Sequence, residues 1–402
     1  MAGGTRPVMP DALVIGGGVM GLGAARAIRQ RGLSVTLLER AQPGRAASWA
    51  SAGIIGATVR EESDPSYHLR RVSEALWPAF AEALLAESGL DPEYRETGCL
   101  YLAFDERELE WLARVVARGS HPAQATSQAG QSGHSGKATA HADIASAVGP
   151  TGSGAGPRLL DRQALREAEP TLAPEVLGAL LVSGGNVEPR RLCRALEIAA
   201  RRAGVEVYSG VEVNALQVEG DQVTGVRTAE GTLTADRVIL AAGAWSAGIG
   251  GVQPRPRVRP QRGQILALDQ SSIGLRHVLM TPEDPYFVPR CDGRLVVGAT
   301  REEAGWDPSL SVGGVAWLLE RAMQVIPAAR DCPIVELWTG FRPVSEDGLP
   351  FIGQGGLRGL YFLTGHGPSG ISPLPGSLAL LSALIAGEPP PLAPGPFDPL
   401  RA

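Results

Sequence analysis

The sequence predicts a mixed α/β fold, a helix-covered parallel sheet assembled from separated stretches beside an α+β part with a large antiparallel sheet. Three observations carry this. Residues 11–40 read strand, tight glycine turn, helix and strand, which is one βαβ unit. An apolar strand near 237–242 ends in Ala241-Ala242-Gly243, far down the chain from that unit. Residues 256–300 alternate apolar and polar positions, the signature of half-buried antiparallel strands.

Each element follows from local chemistry. DALVI (11–15) is a short apolar strand, GGGVMG (16–21) the turn, LGAARAIRQRG an amphipathic helix stopping on Gly32, and LSVTLLER the second strand. AASWASAGII, from Ala46, is too rich in small residues for an ordinary helix start. From Ser63 a helical period places Leu69, Val72, Leu76, Phe80 and Leu84 on one face, and Pro78 is expected to kink it. Residues 119–156 are Gly, Ser, Ala and Thr with almost no large apolar residues, so they read as a flexible surface insertion. Their histidines read as loop residues rather than metal ligands.

A helix over 189–204 leads into VEVYSGVEV. The turns Glu219-Gly220-Asp221 and Glu230-Gly231 then predict antiparallel hairpins. PYFVPR and GRLVVGAT are strands, VAWLLERAMQVIP a helix, and GSLALLSALIAG the closing helix after the glycine-rich turn TGHGPSGIS. No internal repeat is visible. The implied division is a first domain over 1–90, 175–255 and 335–402 and a second over 91–174 and 256–334, with 119–156 inserted.

Bulk properties exclude several classes. The 402 residues suffice for one large or two medium domains, and 44% hydrophobic and 20% charged residues are ordinary for a globular chain. A formal charge of −5 argues against nucleic acid or an anionic membrane as partner. No apolar run is long enough to span a bilayer, and MAGGTRPVMPDALVIGGG is no secretory signal. Cys99, Cys193, Cys291 and Cys332 are widely spaced, without metal-type spacing, and read as reduced, mostly buried thiols. The expectation is a soluble, cytoplasmic protein without a metal.

Gly16, Gly18 and Gly21 follow a strand and open a helix. Their backbone can approach a pyrophosphate, whose charge then faces a helix N-terminus. Glu39 ends the second strand eighteen residues after Gly21, where a carboxylate accepts from ribose hydroxyls and repels a 2′-phosphate. These residues leave FAD and NAD open. The small-residue segment 46–54 and the late turn at Gly243 favour FAD, since a simple NAD dehydrogenase needs neither. The first domain is therefore expected to be Rossmann-type and discontinuous.

The chain resembles the D-amino-acid-oxidase-like FAD-dependent oxidoreductases, most of all their glycine oxidase branch, which serves thiamine biosynthesis. The resemblance runs through VIGGGVMGL, LLER, ASWASAGII, VEPRRL, AAGAWS, PQRGQIL, YFVPRCDGRLVVGAT, WTGFRPVSEDGLPFIG and TGHGPSGI, in that order. It implies non-covalent FAD contacts from Val19, Met20, Glu39, Arg40, Ala47, Ser48, Ala52, Gly53 and Ile54, with Val213 meeting the adenine through its backbone. The turn His366, Gly367, Pro368, Ser369, Gly370, Ile371 and Ser372 is expected to donate backbone N–H groups to the flavin. Arg342 is expected to hold a substrate carboxylate, as a guanidinium fork does, and Tyr286 to line the same pocket. The alternative reading pairs Arg342 with an internal acid such as Asp347.

Two positions depart from the branch. Pro368 stands where glycine oxidases carry a second substrate arginine, and Ile54 replaces a methionine. The resemblance implies oxidation of glycine, sarcosine or a D-amino acid by hydride transfer to flavin N5, with no protein catalytic base. O2 would be reduced to H2O2, and assembly as a homo-oligomer is compatible with the resemblance. The alternatives are a dehydrogenase that passes electrons to a quinone or protein, and a catalytically silent flavin-binding subunit.

Overall fold

The computed structural model describes residues 9–56, 63–119, 156–283 and 285–401. The chain opens with β1 (Ala12–Ile15), α1 (Val19–Gln30), β2 (Val35–Glu39), β3 (Ile54–Gly56) and α2 (Pro65–Ser88). It continues through β4 (Cys99–Ala103), α3 (Glu106–Gly119), β5 (Arg158–Leu160), α4 (Arg162–Ala168), β6 (Gly178–Val182), β7 (Gly184–Asn186) and α5 (Pro189–Arg202). Five strands follow: β8 (Glu206–Ser209), β9 (Val213–Glu219), β10 (Gln222–Thr228), β11 (Gly231–Thr234) and β12 (Arg237–Leu240). Then come β13 (Val258–Asp269), β14 (Val278–Met280), β15 (Tyr286–Pro289), β16 (Arg294–Gly298) and α6 (Val312–Val325). The last elements are β17 (Ile334–Ser345), β18 (Phe351–Gln354), β19 (Leu360–Thr364) and α7 (Leu374–Ala386).

The first sheet has the order β18-β19-β12-β1-β2-β8, parallel except for β18. Alternation along β1 explains its two covered faces. Ala12 and Val14 join a core with Leu22, Ile28, Trp77, Leu196 and Leu381 of the helices. Leu13 and Ile15 join the opposite core with Leu216, Val223 and Val226 of the β9–β10–β11 sheet.

The second sheet has the order β17-β13-β16-β15-β14-β4-β6-β5. One face packs Leu266, Phe287 and Val297 against Leu318 and Ala322 of α6. The other presents Ile265, Val296 and Trp338 towards Ala50 and Ala52, next to β3. Two strands cross the division read from the sequence. Residues 178–182 and 335–345, grouped there with the first domain, pair into this second sheet within β6 and β17. Periodicity gives a strand its faces but not its neighbours, so sheet membership was not readable.

Helix α2 starts with Asp64 accepting from the Ser66 N–H at 2.8 Å, has Pro65 in its first turn, and closes at Gly89 in the left-handed region. It runs on through Pro78, which is exposed. Its buried face is Leu69, Val72, Trp77, Ala81 and Leu84, while Leu76 and Phe80 are half-buried. Trp77 takes the core position because its indole N–H finds the Ser372 carbonyl at 2.9 Å and its ring stacks on Tyr94. The expected 119–156 insertion, apart from its end residues, lies outside the described residues. No helix among the described residues is long and apolar enough to cross a membrane. All four cysteines are free; Cys99 and Cys193 are buried, Cys332 is half-buried, and Cys291 is exposed, against the expectation of burial.

Trp77→Ala removes a fully buried ring that also anchors the end of the 366–372 turn. The expected cost is about 3–5 kcal/mol of unfolding free energy, read from urea denaturation of the FAD-loaded protein, with weakened FAD retention beside it.

Candidate cofactor and substrate site

The carboxyl ends of β1, β2, β12 and β19 and one face of the second sheet enclose a cavity of about 700 Å3. Its floor is the turn after β1. Gly16 has φ of +103°, and a Cβ there would meet the Ala241 carbonyl at 2.6 Å. One at Gly21 would lie 1.8 Å from the Gly16 carbonyl oxygen. Gly21 itself does not line the cavity, whereas Gly16, Gly18, Val19 and Met20 do. Its part is to let α1 press against the turn.

Two side chains fix the turn from outside. Glu39 accepts from the Gly17 N–H at 2.7 Å and the Ala41 N–H at 2.9 Å, so its carboxylate is oriented at the cavity edge. Ser48 Oγ accepts from the Val19 N–H at 3.1 Å and serves as a distant cap for α1. Arg40, Ala47, Ser48, Ala52, Gly53, Ile54, Val213 and Gly243 all border the same cavity, as does the whole run His366–Ser372. Within that run Pro368 has no N–H, so it cannot serve as the donor expected of it.

The roof is the second sheet. From β17 across to β4, its cavity face carries Arg342, Gly340, Gly263, Ile265, Tyr286, Met280 and Tyr101. Arg342 lies flat across Gly263, where a Cβ would stand 2.7 Å from Nη2. Its Nη1 donates to the Thr300 carbonyl at 2.9 Å and lies 3.4 Å from that of Arg262. Asp347, the internal acid considered for it, is paired instead with Arg401 at 2.7 Å. Tyr286 sits opposite Gly298 in the β15–β16 register.

The model of the family described as "FAD dependent oxidoreductase" matches residues 11–384. The chain belongs to that family. It is 32% identical over 399 residues to the glycine oxidase of Pseudomonas aeruginosa, covering 96% of this chain and 98% of that one. It is 32% identical to the bifunctional protein ThiO/ThiG of Synechocystis, covering 94% of this chain and 52% of that longer protein. The solved glycine oxidase of Geobacillus kaustophilus superposes with a TM-score of 0.85 at 30% identity, covering 98% of this chain and 99% of that one.

FAD is the cofactor of this family of oxidoreductases, and the residues present fit it. The bare Gly16 turn, the oriented Glu39 carboxylate and the open space beside Gly243 and Gly367 together offer a dinucleotide a cradle free of side chains. None of the four cysteines borders the cavity. No cluster of His, Cys, Asp and Glu suited to a metal occurs among the described residues.

Several lining residues escaped the sequence reading. Tyr101 and Met280 come from strands whose pairing, β4 beside β14, is visible only in the fold. Their signal was the strand period alone: Tyr101 is the one half-buried residue of its strand. The segment after β16 was missed as well. Arg262 ties it down twice, through the Glu302 carboxylate at 2.9 Å and that of Asp307 at 2.7 Å. Trp306, between those acids, stacks on Trp245 with ring centroids 4.5 Å apart. The Arg40 guanidinium lies 3.8 Å from the Trp245 ring, and Phe341 meets Trp306 edge-on.

His366 is buried at the start of the 366–372 turn, with Nε2 3.2 Å from Ser377 Oγ. Burial pushes its pKa down to about 3, so the ring is neutral at physiological pH. Below about pH 6.5 the unfolded chain takes up a proton that the folded chain refuses until about pH 3. Stability therefore falls as pH drops through that window, at up to about 1.4 kcal/mol per unit. His366→Gln is expected to flatten this slope between pH 4 and 6, as read from thermal melts across that range.

Proposed function

We propose that this FAD-dependent oxidoreductase deaminates a small amino acid or amine that carries a carboxylate, such as glycine, sarcosine or a D-amino acid, with O2 as electron acceptor. The observation carrying this is Arg342. It lies half-buried on the cavity face of the second sheet, its Nη1 engaged by carbonyls, and no carboxylate of the described residues is paired with it. Desolvating a guanidinium is costly without an anion, and a bidentate carboxylate supplies one. The likeness to glycine oxidases supports the reading, and the bifunctional relative's name extends it to a place in thiamine biosynthesis.

FAD, when bound, would supply the acceptor for the hydride from the substrate Cα and the route of both electrons to O2, which would leave as H2O2. Arg342 fixes the carboxylate, and Tyr286, Met280 and Ile54, which line the same cavity, wall the space beside it. The reactive form of the substrate is the neutral amine, whose lone pair moves into the C=N bond as the hydride leaves. Water then hydrolyses the imine to the 2-oxo acid and ammonia, or methylamine where sarcosine is the substrate. His366, uncharged and engaged by Ser377, is a structural group of the turn and no base. Gly16, Gly18, Val19, Met20, Glu39, Arg40, Ser48, Val213 and the 366–372 turn are the proposed cofactor contacts. The cofactor and substrate domains are proposed with β6 and β17 counted in the latter. A cytoplasmic location belongs to the same reading.

Anaerobic mixing with glycine, sarcosine and a panel of D- and L-amino acids is expected to bleach the flavin with one group, and air to restore the colour. If no carboxylated amine bleaches it, the role given to Arg342 is wrong. Arg342→Met is expected to lower the reduction rate constant at limiting substrate about a hundredfold, about 3 kcal/mol for a lost charge-assisted contact. Rates with an amine lacking a carboxylate should not change.

A further inference from the structure

One buried cation takes no part in that chemistry. Arg290, four residues beyond Tyr286, is 6% exposed and is held from every side. Its Nη1 donates to Asn186 Oδ1 at 3.1 Å and to the Val187 carbonyl at 2.8 Å, while Nη2 donates to the Ala52 carbonyl at 2.6 Å. The Glu188 carboxylate stands 3.1 Å from Nε, off the N–H direction, and so balances charge without accepting a bond. Glu188 is itself buried, and it also lies 3.5 Å from Arg294 Nη2.

The Ala52 bond matters because of where that peptide lies. Ala52, Gly53 and Ile54 line the cavity. The Gly53 carbonyl accepts from the Val187 N–H at 2.9 Å, but among the described residues nothing in the chain accepts from the Gly53 N–H. A charged donor on the Ala52 carbonyl polarises the Ala52–Gly53 amide and strengthens that N–H as a donor to the cavity. It also brings a full positive charge to within one peptide unit of the cavity wall, in a setting where water screens little.

We propose that Arg290 is a positioning residue that sets the reduction potential of the bound flavin through the Ala52–Gly53 peptide, with Glu188 as its opposing charge. Reduction adds negative charge to the isoalloxazine, and protein charges beside the ring are a lever on its potential. Arg290 favours the reduced form, and Glu188 moderates that preference. A purely architectural role, pinning β3 to β7, makes no such signed demand.

The sign is the test, and it needs the FAD-loaded protein with no substrate. Midpoint potentials are measured by dye-equilibrated reduction for the wild type, Glu188→Gln and Arg290→Gln. Glu188→Gln keeps the N-terminal cap of α5 and removes the opposing charge; it is expected to raise the midpoint by about 30 mV, a tenfold change in preference for reduced flavin. Arg290→Gln keeps one donor for Ala52 and loses the charge; it is expected to lower the midpoint by a similar amount. Shifts in the same direction, or an unmoved potential in Glu188→Gln, overturn the proposal and leave Arg290 a structural clamp. If Arg290→Gln does not retain FAD, Glu188→Gln decides alone. The potential is independent of which amine is the substrate, so failure here and failure of the proposed activity are separate results.

Discussion

No side chain fits between the Gly16 carbonyl and helix α1, and the cavity is shaped by that bare contact. The ends of β1 and β12 and the start of α1 converge there with backbone packed directly on backbone. Because the strand, helix and late strand touch without side chains, the first N–H groups of α1 stand at the cavity floor rather than a side chain's width beneath it. Glu39 reaches Gly17, and Ser48 reaches Val19, only because the turn is this tight. The late strand β12 shares in the contact, so the dinucleotide site depends on pieces of chain more than two hundred residues apart.

The second sheet is joined to this floor largely by polar groups that reach backbone or aromatic faces. The Trp338 indole donates to the Ala50 carbonyl at 3.0 Å. Arg190 lies over Trp49 at 3.7 Å while forking onto Glu336. Arg290 takes the Ala52 carbonyl. All three act on residues 49–52, a stretch with no regular secondary structure of its own. Such a stretch cannot satisfy its own carbonyls, and leaving them buried and unpaired is expensive. The donors that satisfy them also fix where the stretch runs, so one set of bonds serves both stability and the shape of the site.

The parts of this molecule legible in the sequence were those governed by local chemistry. The glycine spacing, the acidic strand end and the Glu219–Asp221 hairpin were readable because each constrains residues close in sequence. Arg342 was placed by resemblance and not by periodicity; only the fold shows Asp347 turned away to Arg401. Trp77 was overlooked for Leu76 and Phe80 because hydrophobic period alone cannot see a carbonyl waiting for an indole. Tyr101, Met280 and Trp306 depend on strand order and on a loop's path, which no short window of sequence contains.

The order of the second sheet has a practical side. Arg342 stands on β17 at one edge, while β5, which receives the chain after residue 156, is the opposite edge. Seven interstrand spacings, roughly 30 Å, separate them. The point where the long low-complexity stretch joins the fold is thus remote from Arg342. That makes it the natural position for a fluorescent reporter, an affinity tag or a fused partner enzyme, since length added there leaves the register of β13 and β17 untouched.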